Sequence, residues 1–257
     1  MREDKNHSGN QEETTIREEW FLQEEKEKKN AGYYDTEERI LTPEDLAGAG
    51  RSVESDFAME PAPSYVTIPK KQGEFTVEDY YALPDDYRCE LIDGVIYDMS
   101  APKLIHQYFI GQIYRRLDEY IEWKQGKCMA CLSPVDVRLD RDNRTMVQPD
   151  VLVSCKREQL LEWGIEGAPD FVIEVLSKST AKKDRIIKLR KYREAGVREY
   201  WLIDPYLQRV LVYHFGNEEE LRIDGFDAEV PVEIFERKCR VDFRKIYEEV
   251  ETLYEER

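Results

Sequence analysis

From Phe75 onward the apolar positions fall into short, separable rhythms. Thr76 is placed to cap a short helix over Val77–Leu83, stopped by Pro84. The run "CELIDGVIYDM" (89–99) reads as two strands around an Asp93-Gly94 turn. His106, Ile110, Ile113, Leu117 and Ile121 recur at helical spacing and predict a helix over 106–125. Alternation predicts a strand over 128–139, a turn over 140–144 and strands over 146–153 and 171–176. A helix over 181–195 follows, ended by Gly196. "REYWLI" (198–203) is a strand stopped by Asp204-Pro205, and 208–215 is its hairpin partner. The acidic remainder holds one or two strands and a final helix near 243–254. Helix, three strands, helix, strand is the order of an α/β sandwich, a mixed sheet flanked by helices.

Residues 1–72 show no such rhythm. They carry 17 acidic and 10 basic residues, and "AGAG" (47–50) and "MEPAPSYVTIPKKQG" (59–73) have linker composition. Too little apolar surface is present to offset the entropy of ordering. The expectation is therefore an acidic flexible extension over 1–72 and one folded domain over 73–257. A partner-binding helix around Trp20 is the sharper alternative.

Composition narrows the setting. No run approaches the length of a membrane span, and the N-terminus lacks a signal peptide's apolar core. Five scattered cysteines are then expected as reduced thiols of a cytoplasmic protein. Cys128 and Cys131 have the spacing of a metal pair, but no second pair or histidine completes it. Two strand thiols are the expectation there.

The chemistry gathers around a misfit. In "PDFVIEVLSKST" (169–180), Glu174 sits inside an apolar strand, where an ionised carboxylate is costly unless compensated. Two Pro-Asp pairs offer a partner acid. Asp170 and Glu174 share a face of one strand but stand about 13 Å apart along it. Two ligands of one Mg²⁺ each approach it to about 2 Å. Asp150, in "VQPDVLV" (147–153), belongs to another strand and can lie beside Glu174. Asp150 and Glu174 are thus the candidate metal pair. Plainer roles stay open: Glu174 as a buried carboxylate paired with a lysine, and Asp150 as a turn residue. On the next helix Asp184, Lys188 and Tyr192 share a face. Asp184 and Lys188 have the spacing of an exposed salt bridge, yet Lys188 could also point back to the carboxylates.

These residues carry a resemblance. "VQPDVLV", "GAPDFVIEVLSKSTAKKDRIIKLRKYREAGVREYWLIDP", "ELIDG" (90–94), His106 and "SPVDVRL" (133–139) look like the Uma family of putative restriction endonucleases, within the PD-(D/E)XK nuclease superfamily. The resemblance spans roughly residues 75–250. It implies a restriction-endonuclease-like αβββαβ core, with Asp150 and Glu174 as Mg²⁺ ligands (Mn²⁺ as a substitute) and Glu90 as a third acid. Superfamily members usually carry a lysine two residues after the glutamate, where this chain has Leu176. Lys188 is then the expected replacement, with Tyr192 beside it, and Lys183 the weaker candidate.

The implied activity is Mg²⁺-dependent endonucleolytic hydrolysis of DNA. Lys188 would orient or deprotonate the nucleophile, or balance charge at the phosphate. His106 would support the acids or donate to phosphate; a packed core histidine is its other reading. DNA contact needs local positive charge. Residues 178–193 supply eight Lys or Arg against one acid, Asp184, in a chain of net charge −17. Superfamily analogy adds a homodimer cutting both strands. The competing reading is a catalytically inactive nuclease fold kept as a binding or regulatory module.

Overall fold

A computed structural model describes residues 70–84, 86–139, 143–177, 180–216 and 219–255. The expected extension lies, through residue 69, outside the described residues. Gln72 already belongs to the fold, because its side-chain oxygen accepts the Ile96 N–H at 2.8 Å.

The first elements are helix α1 (Val77–Tyr81) and the hairpin β1 (Cys89–Ile92) and β2 (Val95–Asp98). Their turn is Asp93-Gly94, with φ of 52° and 80°. Both residues are left-handed, as a two-residue turn between twisted strands requires. A Cβ on Gly94 would meet the Gly73 carbonyl oxygen at 2.6 Å, so this position is reserved for glycine.

Next come helix α2 (Leu104–Trp123) and strands β3 (Met129–Leu132), β4 (Val137–Arg138) and β5 (Val151–Ser154). Strands β6 (Leu160–Leu161) and β7 (Gly164–Glu166) form a small sheet with β4. β8 (Phe171–Val175) leads to a π-helical turn, Lys183–Lys188, that continues as α3 (Leu189–Ala195). Gly196, at φ 93°, ends it. The chain closes with β9 (Glu199–Asp204), β10 (Arg209–Phe215), β11 (Glu219–Gly225), β12 (Glu229–Val232), β13 (Cys239–Asp242) and α4 (Phe243–Glu255).

The main sheet has the order β11-β10-β9-β8-β5-β3. β8 and β9 are parallel and every other neighbouring pair is antiparallel. Read along the chain, α2-β3-β5-β8-α3-β9 is the expected αβββαβ core. One face buries Val151, Val153, Phe171, Ile173 and Val175 against Ile113 and Leu117 of α2 and Phe243 and Ile246 of α4. The other face packs against α3, where the Tyr192 and Tyr200 rings meet edge-on at 5.0 Å. Strand alternation places Glu174 on this second face. No helix among the described residues is long and apolar enough to cross a membrane.

The structure corrects several expectations. The strand foreseen over 128–139 is two pieces, because Ser133-Pro134 and the residues after it leave the sheet and a proline cannot donate to a ladder. The strand foreseen from residue 146 starts at Val151, while Met146 and Val147 make only isolated bridges to Leu91 and Val137. The cysteines are not all free thiols. Cys128 and Cys155 form a disulfide across β3 and β5, leaving Cys89, Cys131 and Cys239 free. The antiparallel register explains it: Met129 faces Ser154, so the next pair outward is Cys128 and Cys155.

Candidate active site

Strand register builds the site. Val151 pairs with Ile173, and one further step in that register sets Asp150 against Glu174. The Val175 N–H donates to Asp150 Oδ2 at 2.8 Å, tying the acid to β8. His106, in the first turn of α2, brings Nε2 to within 3.2 Å of the same oxygen. Burial disfavours the imidazolium, but the Asp150 carboxylate outweighs it and raises the His106 pKa.

Glu174 is met from the other layer. Lys188 Nζ and the Tyr192 hydroxyl each donate to Glu174 Oε1 at 2.7 Å. Lys188 also stands 2.7 Å from Glu90 Oε1 and 3.6 Å from Asp184 Oδ1, the latter too long for a hydrogen bond. Glu90 is further held by Lys183 at 2.6 Å and by the Gln148 N–H at 3.0 Å. The π-helical turn puts Asp184 and Lys188 on the inner side, and the Tyr200 hydroxyl pins it by donating to the Asp184 carbonyl at 3.1 Å. Asp184 and Lys188 are 2% and 3% exposed, so they are not the surface salt bridge their spacing allowed.

The two glutamates respond in opposite directions. Burial opposes ionisation of Glu90, yet Lys183 and Lys188 outweigh it and hold its carboxyl below the usual range. Burial pushes the Glu174 carboxyl well above that range; Lys188 pulls it down, while Asp150, Asp184 and Glu90 add to the rise. Burial likewise raises Asp184. Four carboxylates here face two ammonium groups.

All these side chains line one cavity of about 230 Å³: Glu90, His106, Asp150, Glu174, Lys183, Asp184 and Lys188. Tyr192 reaches it through Glu174. Asp150 Oδ1 and Glu174 Oε2 accept no hydrogen bond from the described residues. Asp170 lies elsewhere, bound to the Cys155 N–H at 2.8 Å and to Arg198 at 3.3 Å.

The basic run on this helix is largely occupied. Besides Lys183 and Lys188, Arg185 pairs with Asp204 at 2.7 Å, Lys191 with Asp93 at 2.7 Å and Arg190 with Asp93 at 3.5 Å. The local charge of +7 thus serves mainly to dock the helix onto the sheet and the first hairpin. The anchoring roles of Asp93 and Asp204 were not read from the sequence, where both appear as turn residues.

Comparison with known proteins now adds to the geometry. The Uma2 family, described as "Putative restriction endonuclease", matches residues 77–242. The chain belongs to this family. The Uma2 match runs from α1 to the end of β13 and includes every residue of the cavity. Among solved structures, the chain is similar to a putative nuclease from Anabaena variabilis ATCC 29413, with 24% identity and a TM-score of 0.56. That likeness covers 68% of this chain and 98% of the other, and it supports the fold. No curated protein matches significantly.

Proposed function

We propose that this Uma2 protein is a Mg²⁺-dependent endonuclease that hydrolyses DNA phosphodiester bonds. The observation that carries the reading is Lys188 Nζ, 2.7 Å from Glu174. Leu176 stands where superfamily sequences usually place lysine, and an ammonium group reaches the glutamate from the neighbouring helix instead.

The residues present fit a divalent cation. Among the described residues no three acid, histidine or cysteine side chains enclose an ion. Mg²⁺ does not require that, since it is usually held by one or two carboxylates with waters and substrate phosphates completing its shell. Asp150 and Glu174 each keep an oxygen available, and a divalent ion would add positive charge where four carboxyl groups face two ammonium groups. Such an ion would supply Lewis-acid polarisation of the phosphoryl oxygen and a more acidic bound water.

The protein's own groups would do the rest. Lys188 would offset charge developing on the phosphate, from a position fixed by Glu90 and Glu174. Tyr192 would hold Glu174 in place. His106 would orient Asp150 through Nε2 and could carry a proton beside it. Glu90, already bonded to Lys183, Lys188 and the Gln148 N–H, would position the lysines rather than bind metal.

Nicking of supercoiled plasmid tests this, with Mg²⁺, Mn²⁺ or EDTA, comparing wild type with Glu174→Gln. Metal-dependent nicking lost in the variant is expected. Equal nicking by both proteins would remove the activity from this cavity. No nicking by wild type across plasmid, single-stranded and branched DNA would favour the inactive binding module.

A further inference from the structure

The helix that carries most of the positive charge near the cavity is neutralised internally, so it offers little to a polyanion. Yet a cavity rich in carboxylates repels a phosphate chain, and contact with DNA needs cations at its entrance. Two others line the same cavity. Arg88 directly precedes β1, and Lys103 is the N-cap of α2. Both are exposed. Neither makes an ion pair or a side-chain hydrogen bond among the described residues.

Their placement is built into the fold. The Met99 N–H donates to the Arg88 carbonyl at 2.9 Å, where the end of the first hairpin turns into the segment leading to Lys103. That segment, Ser100-Ala101-Pro102, also lines the cavity. In a chain of net charge −17, an exposed cation gains by meeting an acid. These two remain unpaired in the lining of the cavity that holds Asp150 and Glu174.

We propose that Arg88 and Lys103 are phosphate-contacting residues, which hold a DNA strand across the mouth of the carboxylate cavity. The inference rests on the nuclease reading and adds to it the residues that receive the substrate. Arg88 would grip a phosphate through its planar fork, and Lys103 would act as a point charge beside the first turn of α2.

The test is equilibrium binding of a fluorescein-labelled DNA duplex to the full chain, followed by anisotropy across a NaCl series in EDTA. Each phosphate contact contributes about 0.9 to the slope of log affinity against log salt. Arg88→Ala/Lys103→Ala is expected to reduce that slope by about 2, and to weaken binding roughly tenfold at moderate salt. Lys127→Ala/Arg157→Ala changes the charge equally at exposed residues outside the cavity lining, and should leave the slope unchanged. An unchanged slope in the Arg88/Lys103 variant overturns the proposal. So does an equal drop in both double variants, or no binding by wild type. The plasmid assay separates the two readings: Glu174-dependent nicking with an unchanged slope sinks only this inference. A reduced slope in a protein that never nicks retains the phosphate contacts and sinks hydrolysis.

Discussion

Glu199 gives a sharp test of how this fold handles buried charge. It sits on β9, fully buried, and pairs with no cation among the described residues. Trp201 Nε1–H donates to Oε1 at 2.7 Å and the Ile234 N–H to Oε2 at 2.9 Å, so the carboxylate ties the β12–β13 connection to the main sheet. Burial pushes its pKa from 4.5 to about 7, against the pull of these donors. Between those two values the folded protein keeps a proton that the unfolded chain has released, so stability falls as pH rises through the window. Above pH 7 the full cost is expressed, about 3 kcal/mol at about 1.4 kcal/mol per pH unit. Glu199→Gln removes the charge and keeps an acceptor for Trp201, at the cost of about 1 kcal/mol for the Ile234 N–H left without its partner. The variant should therefore be about as stable as wild type at pH 5 and about 2 kcal/mol more stable at pH 8. Urea unfolding of both proteins at pH 5, 6, 7 and 8 measures the difference directly, and other titrating groups cancel in the comparison. A difference that stays constant across that range would refute the reasoning.

Two further outcomes follow from the site and the sheet. Lys188→Ala leaves Glu90 and Glu174 buried without their shared cation, so it should cost about 3–5 kcal/mol in urea unfolding and abolish metal-dependent nicking. A stability loss without any loss of nicking would make Lys188 purely structural. The Cys128–Cys155 disulfide spans 27 residues. Loop-closure entropy assigns it about 3.5 kcal/mol, so Cys155→Ser should lose a comparable amount, and reductant should destabilise wild type but not the variant.

What the sequence made legible was the part written in short-range pattern. The apolar rhythm of 106–125, the Asp93-Gly94 turn and Gly196 each depend on neighbours within a turn or a strand, and the αβββαβ order follows from them. The pairing of Asp150 with Glu174 was legible for a related reason. Strand rise alone excluded Asp170, and an acid on an adjacent strand was the remaining way to bring two carboxylates together. The disulfide was hidden because it depends on register: only once Met129 faces Ser154 do the two cysteines meet. The division of labour among the lysines was hidden as well. Spacing gives Asp184 and Lys188 one shared face, but the layer that face meets is a tertiary fact, and the π-helical turn changes the face it presents.

The misfit at Glu174 also had a second lesson. A carboxylate in an apolar strand marks a site only when its compensation is incomplete. Glu199 is the same misfit in "REYWLI", and it is compensated by two N–H donors and a raised pKa, with no ion pair among the described residues. Asp204, at the end of the same strand, is compensated by Arg185. Glu174 has Lys188 and Tyr192, but Glu90 and Asp184 share that lysine and Asp150 lies alongside, so four carboxyl groups draw on two ammonium groups. Burial alone therefore does not separate the carboxylate proposed to function from the structural ones. The surplus of acids over cations does, and it gathers in the cavity lined by Asp150, Glu174 and the π-helical turn.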